Sequence, residues 1–147
     1  MSGASTVLIV EARFYEDIAD ELVAGAHAEL QAAGVAVERI GVPGAFEIPA
    51  AIAMAEASLR HFAGYVALGC VIRGETTHYD YVCGESARGL QALATGQRLA
   101  IGYGILTTEN RMQAWARADR NQGNKGAAAA EACLRMMALR DHFGEAS

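Results

Sequence analysis

Four apolar runs, at 6–10, 35–42, 65–72 and 99–106, punctuate the chain and read as β-strands. The segments between them carry apolar residues at helical spacing. Ile18, Leu22, Ala26 and Leu30 share one face of a first helix that ends near Gly34, a residue suited to the left-handed turn after a helix. Ile48, Ile52, Ala55 and Leu59 align on a second helix. Cys83, Ala87, Leu90 and Ala94 align on a third, expected over 80–94. Asn110 with Gln113 three residues later has the form of a capping box opening a short fourth helix. A last helix, from Asn124 onward, stacks Ala130, Leu134 and Met137.

The order βαβαβαβαα calls for a parallel sheet covered by helices on both faces. Right-handed crossovers leave few topologies. The expected fold is α/β: a three-layer αβα sandwich with a four-stranded parallel sheet in the flavodoxin-like order 2-1-3-4. No linker, repeat or low-complexity tract interrupts the pattern, so residues 1–147 are expected to form one domain. Gly84 and Gly89 inside the third helix each cost about 1 kcal/mol relative to Ala, which close contact with another helix or subunit would justify.

Composition narrows the partners. Hydrophobic residues make up 52% of the chain, enough for a substantial core. The net charge of -5 leaves no basic footprint for nucleic acid or an anionic membrane, although a local basic pocket is compatible with it. No segment approaches the roughly 20 apolar residues that span a bilayer. The N-terminal stretch lacks the basic start of a secretory signal. Cys70, Cys83 and Cys133 follow no zinc or C-x-x-C spacing and read as reduced thiols filling core sites, so a cytoplasmic protein is expected.

In open parallel sheets ligands bind beyond the carboxyl ends of the strands. Those ends read ARFYED, PGAFEIP, RGETTHYD and TTENR, which together offer aromatic walls, hydroxyls and one imidazole. The first turn has no glycine, so a dinucleotide loop is excluded there, and neither a Walker A sequence nor a G-x-S-x-G elbow is present. His78, between a Gly/Thr-rich loop and a helix start, reads equally as a base aimed at a ligand or as a capping histidine. Residues 74–77 are equally an amide-lined anion loop or an ordinary N-cap, and the Glu75 carboxylate opposes the first reading unless only its amide faces inward. Arg117 and Lys125, given the loop ADRNQGNKG, are the cations best placed for an anion, with solvated surface charge as the alternative. Phe14 and Phe46 follow strands directly, to stack on a ring or to join the core. A metal at His78 and Asp80 lacks a second ligand pair.

Taken together, V-P-G-A-F-E-I-P (42–49), G-C-V-I-R-G-E-T-T-H-Y-D-Y (69–81), G-I-L-T-T-E-N (104–110) and G-N-K-G-A (123–127) resemble, in order and spacing, the 6,7-dimethyl-8-ribityllumazine synthase family. The resemblance covers nearly the whole chain. It implies condensation of 5-amino-6-(D-ribitylamino)uracil with 3,4-dihydroxy-2-butanone 4-phosphate, releasing phosphate and water, in riboflavin biosynthesis, with no metal or organic cofactor. By position it implies that Phe14 stacks on the pyrimidine and that Ala45, Phe46 and Glu47 read ring and ribityl groups. Val71 and Ile72 would line the pocket, Gly74, Glu75 and Thr76 would form the phosphate loop, and His78 would be the general acid/base. The family's sites lie between subunits, so Tyr103, Arg117 and Lys125 would come from a neighbour. Three positions depart from the family's usual residues: Tyr15 for Asn, Tyr103 for Phe, and Glu75 for Ala or Gly. Members form pentamers, some of which build shells; the short stretch before the first strand leads us to expect a free pentamer or a decamer. The competing expectation is a flavin- or lumazine-binding scaffold with little turnover.

Overall fold

The computed structural model describes residues 5–144. Its elements are β1 (Thr6–Ala12), α1 (Glu16–Ala32), β2 (Ala36–Val42), α2 (Ile48–Ala57), β3 (Gly64–Ile72), α3 (His78–Gln97), β4 (Ile101–Thr108), α4 (Arg111–Ala118) and α5 (Lys125–Gly144), with a 3-10 turn, Ala45–Glu47, ahead of α2. The strands pair in parallel in the order β2-β1-β3-β4, the order expected from the sequence.

Two-residue alternation on the central strands builds a core on each side of the sheet. Val7 and Ile9 of β1, with Val66, Leu68 and Cys70 of β3, pack under α1, α4 and α5. Leu8 and Val10, with Tyr65 and Ala67, pack under α2 and α3. Because α3 and the 3-10 turn share one face while β4 forms an open edge, the strand exits are divided between different surroundings.

Four details differ from the periodicity-based expectation. β1 continues past Val10, because Glu11 is a buried charge rather than the start of a loop. It is 2% exposed, and accepts from Arg39 Nε (2.7 Å) and Nη2 (2.9 Å) and from Arg13 Nη1 (2.5 Å). β4 starts and ends two residues late. Arg98, at φ 56°, turns the chain after α3, and Thr107 and Thr108 then pair with Val71 and Ile72. α2 stops before Leu59, which is fully exposed: the Ser58 hydroxyl donates to Ala55 O at 2.6 Å and accepts from Arg60 N at 3.1 Å, closing the helix end.

The largest difference is in α3. It runs from His78 to Gln97 and buries Val82, Ser86 and Leu90, leaving Ala87 exposed and Cys83 half-buried. Small Ala and Cys residues bury little area, so Val82 and Leu90 determine the inward face. Gly89 abuts the Pro49 ring of α2, the close contact its presence called for, whereas a Cβ at Gly84 would meet nothing within 4 Å. Gly102 and Gly104 on β4 lie against Ala129 of α5, where a side chain would collide. Residues 1–4, on which the expectation of a free pentamer partly rests, lie outside the described residues.

Candidate active site

A hollow of about 680 Å³ opens at the exits of β1, β2 and β3, roofed by the start of α3. It gathers Phe14, Ala45, Phe46, Glu47, Val71, Ile72, Gly74, Thr76 and His78 from the predicted set, and adds Tyr15, Cys70, Tyr79 and Tyr81. Tyr81 stands three residues after His78, one helical turn along the same face, a spacing visible in the sequence.

Each wall has a local cause. The exit of β1 turns outward at Phe14, which is 74% exposed, and Tyr15 meets that ring edge-on with centroids 4.9 Å apart. An exposed phenyl ring held by a second ring is a ready stacking platform. On the β2 side, Glu47 Oε1 accepts from Gly44 N at 3.0 Å, tightening the turn that presents Phe46. Cys70 forms the floor; burial pushes its thiol up to about 11, so it stays protonated and acts as wall rather than nucleophile.

The fourth side is polar backbone. Thr77, the N-cap of α3, makes no side-chain cap bond, and His78 N has only Thr76 Oγ1 at 3.3 Å. Among the described residues, the amides of Gly74, Glu75 and Thr76 donate to nothing. A 20-residue helix therefore points an open N-terminus, preceded by free amides, into a hollow that also holds an exposed imidazole. Glu75 is exposed and absent from the lining, so its carboxylate is outside the hollow.

Tyr103, Arg117 and Lys125 lie elsewhere. They line a smaller hollow of about 340 Å³ beside the edge strand β4, together with Leu106, Thr107 and the alanines of the first turns of α5. The 119–124 turn positions both cations. The Asp119 carboxylate accepts from Asn121 N (2.9 Å) and Gln122 Nε2 (2.8 Å), and Gly123 N donates to Ala116 O at 2.9 Å. A side chain at Gly123 would strike the Arg117 backbone, and one at Gly126 would strike the Leu22 carbonyl. The G-N-K-G stretch is therefore a packing device that brings Lys125 beside Arg117. Arg117 Nη1 donates to Gln113 O at 2.9 Å, leaving most of its guanidinium donors open.

Asn110 caps α4 by accepting from Gln113 N at 2.9 Å, while the Gln113 side chain returns to Glu109 N (2.8 Å) instead of Asn110 N. No cluster of His, Cys, Asp or Glu among the described residues is suited to a metal ion, and no helix among them is long and apolar enough to cross a membrane.

Residues 4–141 match the family model described as 6,7-dimethyl-8-ribityllumazine synthase. Curated relatives carry the same name. One from Bartonella bacilliformis is 59% identical over 140 residues, covering 95% of this chain and 92% of its own. One from Novosphingobium aromaticivorans is 58% identical over 136 residues, covering 92% and 96%. A Rhizobium meliloti protein named 6,7-dimethyl-8-ribityllumazine synthase 1 is 54% identical over 142 residues, covering 94% and 93%.

Proposed function

The chain belongs to the 6,7-dimethyl-8-ribityllumazine synthase family, and from that premise we propose how its residues divide the reaction. The protein is a transferase of riboflavin biosynthesis. It condenses 5-amino-6-(D-ribitylamino)uracil with 3,4-dihydroxy-2-butanone 4-phosphate, and phosphate and water leave as 6,7-dimethyl-8-ribityllumazine forms.

In our reading the pyrimidine stacks on Phe14, with Phe46 and the backbone of Val71 and Ile72 completing its slot. Ala45 and Glu47 lie along the ribityl side. The amides of Gly74, Glu75 and Thr76 receive the phosphate. His78 moves the protons that imine formation, phosphate elimination and ring closure require. Holding two substrates in one slot supplies most of the acceleration, with proton transfer assisting.

The observation that carries this reading is a complementarity. The wide hollow has the rings, the amides and the imidazole but no Lys or Arg in its lining; the small one has Arg117 and Lys125 but no imidazole. A dianionic phosphate needs both, so one subunit's small hollow closes its neighbour's wide one, with Tyr103 as the second ring wall. That arrangement calls for a ring of subunits, which we take to be a homopentamer. We read the chain as one domain acting in the cytoplasm, in keeping with its three free thiols.

The deciding experiment mixes the purified protein with both substrates and follows lumazine fluorescence. Product formation well above the spontaneous rate is expected. A rate equal to the uncatalysed one, with pyrimidine analogues still bound, would leave a binding scaffold instead. Sedimentation separates a pentamer from a decamer or a closed shell.

A further inference from the structure

The segment 74–77 is exposed throughout, and a Cβ at Gly74 would meet nothing within 4 Å. Among the described residues its amides make no hydrogen bond, and its own bonds run only to the start of α3, from His78 N to Thr76 Oγ1 and from Asp80 N and Tyr81 N to Thr77 O. Yet the amides and His78 must hold one geometry to act together. Its ends are fixed, and one side chain touches both. Arg73 N, at the loop's entry, donates to Thr108 O at 2.9 Å. The Arg73 guanidinium then reaches across to the loop's exit. It stands over the Tyr79 ring, 4.3 Å from the centroid, and Nη1 lies 3.6 Å from Asp80 Oδ1. Nε donates to both oxygens of Glu109, at 3.0 and 3.1 Å, just beyond β4. Glu109 is itself tied to α4, its amide donating to Gln113 Oε1 at 2.8 Å.

We propose that Arg73 is a positioning residue: its guanidinium closes the 74–78 loop by joining Tyr79 and Asp80 on α3 to Glu109 beyond β4, and so sets the loop amides and His78 in register. The assignment rests on the catalytic reading above. It also explains why Arg73, the cation nearest the loop in sequence, is not the phosphate's counter-charge. Two carboxylates and an aromatic face already occupy it, and it does not line the hollow. A planar group is required that donates from Nε to Glu109, turns Nη1 to Asp80 and lies over the Tyr79 ring at the same time, which a lysine does not supply.

The test compares Arg73→Met, Arg73→Lys and Glu109→Gln with the wild type, after sedimentation and thermal melting establish that each is assembled. Arg73→Met is expected to lower kcat about 10-fold or more, since misplacement by about an ångström costs up to 10²-fold. KM for the pyrimidine should stay within about two-fold, because the Phe14 wall is untouched. Amide exchange at the loop's two ends, at Arg73 (bonded to Thr108 O) and at Asp80 and Tyr81 (bonded to Thr77 O), should quicken, while exchange at 18–22 is unchanged. Arg73→Lys should recover only part of the loss, and Glu109→Gln should move kcat and exchange in the same direction, less far. Wild-type kcat and exchange in Arg73→Met would overturn the proposal. A salt-dependent rise in KM for the phosphate substrate alone, with exchange unchanged, would overturn it too, making Arg73 a direct ligand. If the wild type forms no lumazine, the functional reading falls, and the exchange comparison still decides the clasp.

Discussion

The two hollows differ in almost every property that matters for chemistry. The wide one is walled by rings, floored by an apolar thiol and edged by free amides; the small one is a cationic notch on the edge strand. The wide one presents flat aromatic walls and an imidazole. The small one offers two cations and a single ring, Tyr103. On the reading proposed above, neither alone serves both the aromatic amine and the phosphate ester, and the functional unit is larger than one chain.

The strongest way to break this division is to remove the charge. Arg117→Ala is expected to lower kcat/KM about 10³-fold, since an uncompensated phosphate in a partly desolvated site loses several kcal/mol of stabilisation. His78→Ala should lower kcat about 10²-fold while a pyrimidine analogue still binds. Co-expressing the two inactive chains sharpens the comparison. If each site takes one hollow from each of two neighbours, random assembly leaves about a quarter of the sites intact. An inactive mixture, with mixed oligomers verified by mass, would mean that both hollows serve the same chain.

The supports of the two hollows differ as much as their linings. The small one rests on close packing of helix against helix: Gly126 lies on the Leu22 carbonyl and Gly25 on Asn124, with Asn124 in the left-handed region at φ 47°. Gly126→Ala should therefore destabilise by about 2–3 kcal/mol at any pH, read by denaturant unfolding, because neither helix backbone has room to yield.

The wide hollow rests on charge. Burial would raise the Glu11 carboxyl, but the hydrogen bonds and charges of Arg39 and Arg13 outweigh it and hold it below the ordinary value of 4.5. Arg13 is the residue before Phe14, and Asp20 accepts from its Nη2 at 2.6 Å. The folded pKa being the lower one, this stabilisation is present above the unfolded value and is lost as pH falls through the folded value. Glu11→Gln should cost about 1–2 kcal/mol at pH 7, and the gap from wild type should shrink below about pH 4.5 as the wild-type carboxyl protonates. A gap that stays constant down to pH 3 would remove the ion cluster from the support of this wall.

Sequence reasoning reached the sheet because buried parallel strands are apolar on both faces, and β1 and β3 announce themselves that way. It failed where one side chain's meaning depended on distant partners. Glu11 looked like a strand end because Arg39, 28 residues away, neutralises it in the fold. The face of α3 was misread because alanines at helical spacing carry too little area to outweigh Val82. In the site, strand exits pointed to Phe14, Phe46 and His78. No local signal separates Arg117 and Lys125 from that cluster, since the chain's own topology sets them at the edge of β4.

The smallest expected effect tests the sharpest local contrast. Residues 74, 75 and 76 all contribute free amides, but only Gly74 and Thr76 line the hollow, and Glu75 stands in solvent. A carboxylate facing a bound dianion would cost affinity, so removing it would tighten KM for the phosphate substrate several-fold. One directed into water at a screened distance contributes almost nothing. Glu75→Ala should accordingly change KM for the phosphate substrate less than about two-fold, at low and at physiological salt alike. A several-fold fall in that KM at low salt, fading as salt rises, would place the carboxylate at the phosphate and take the loop amides out of the role given them.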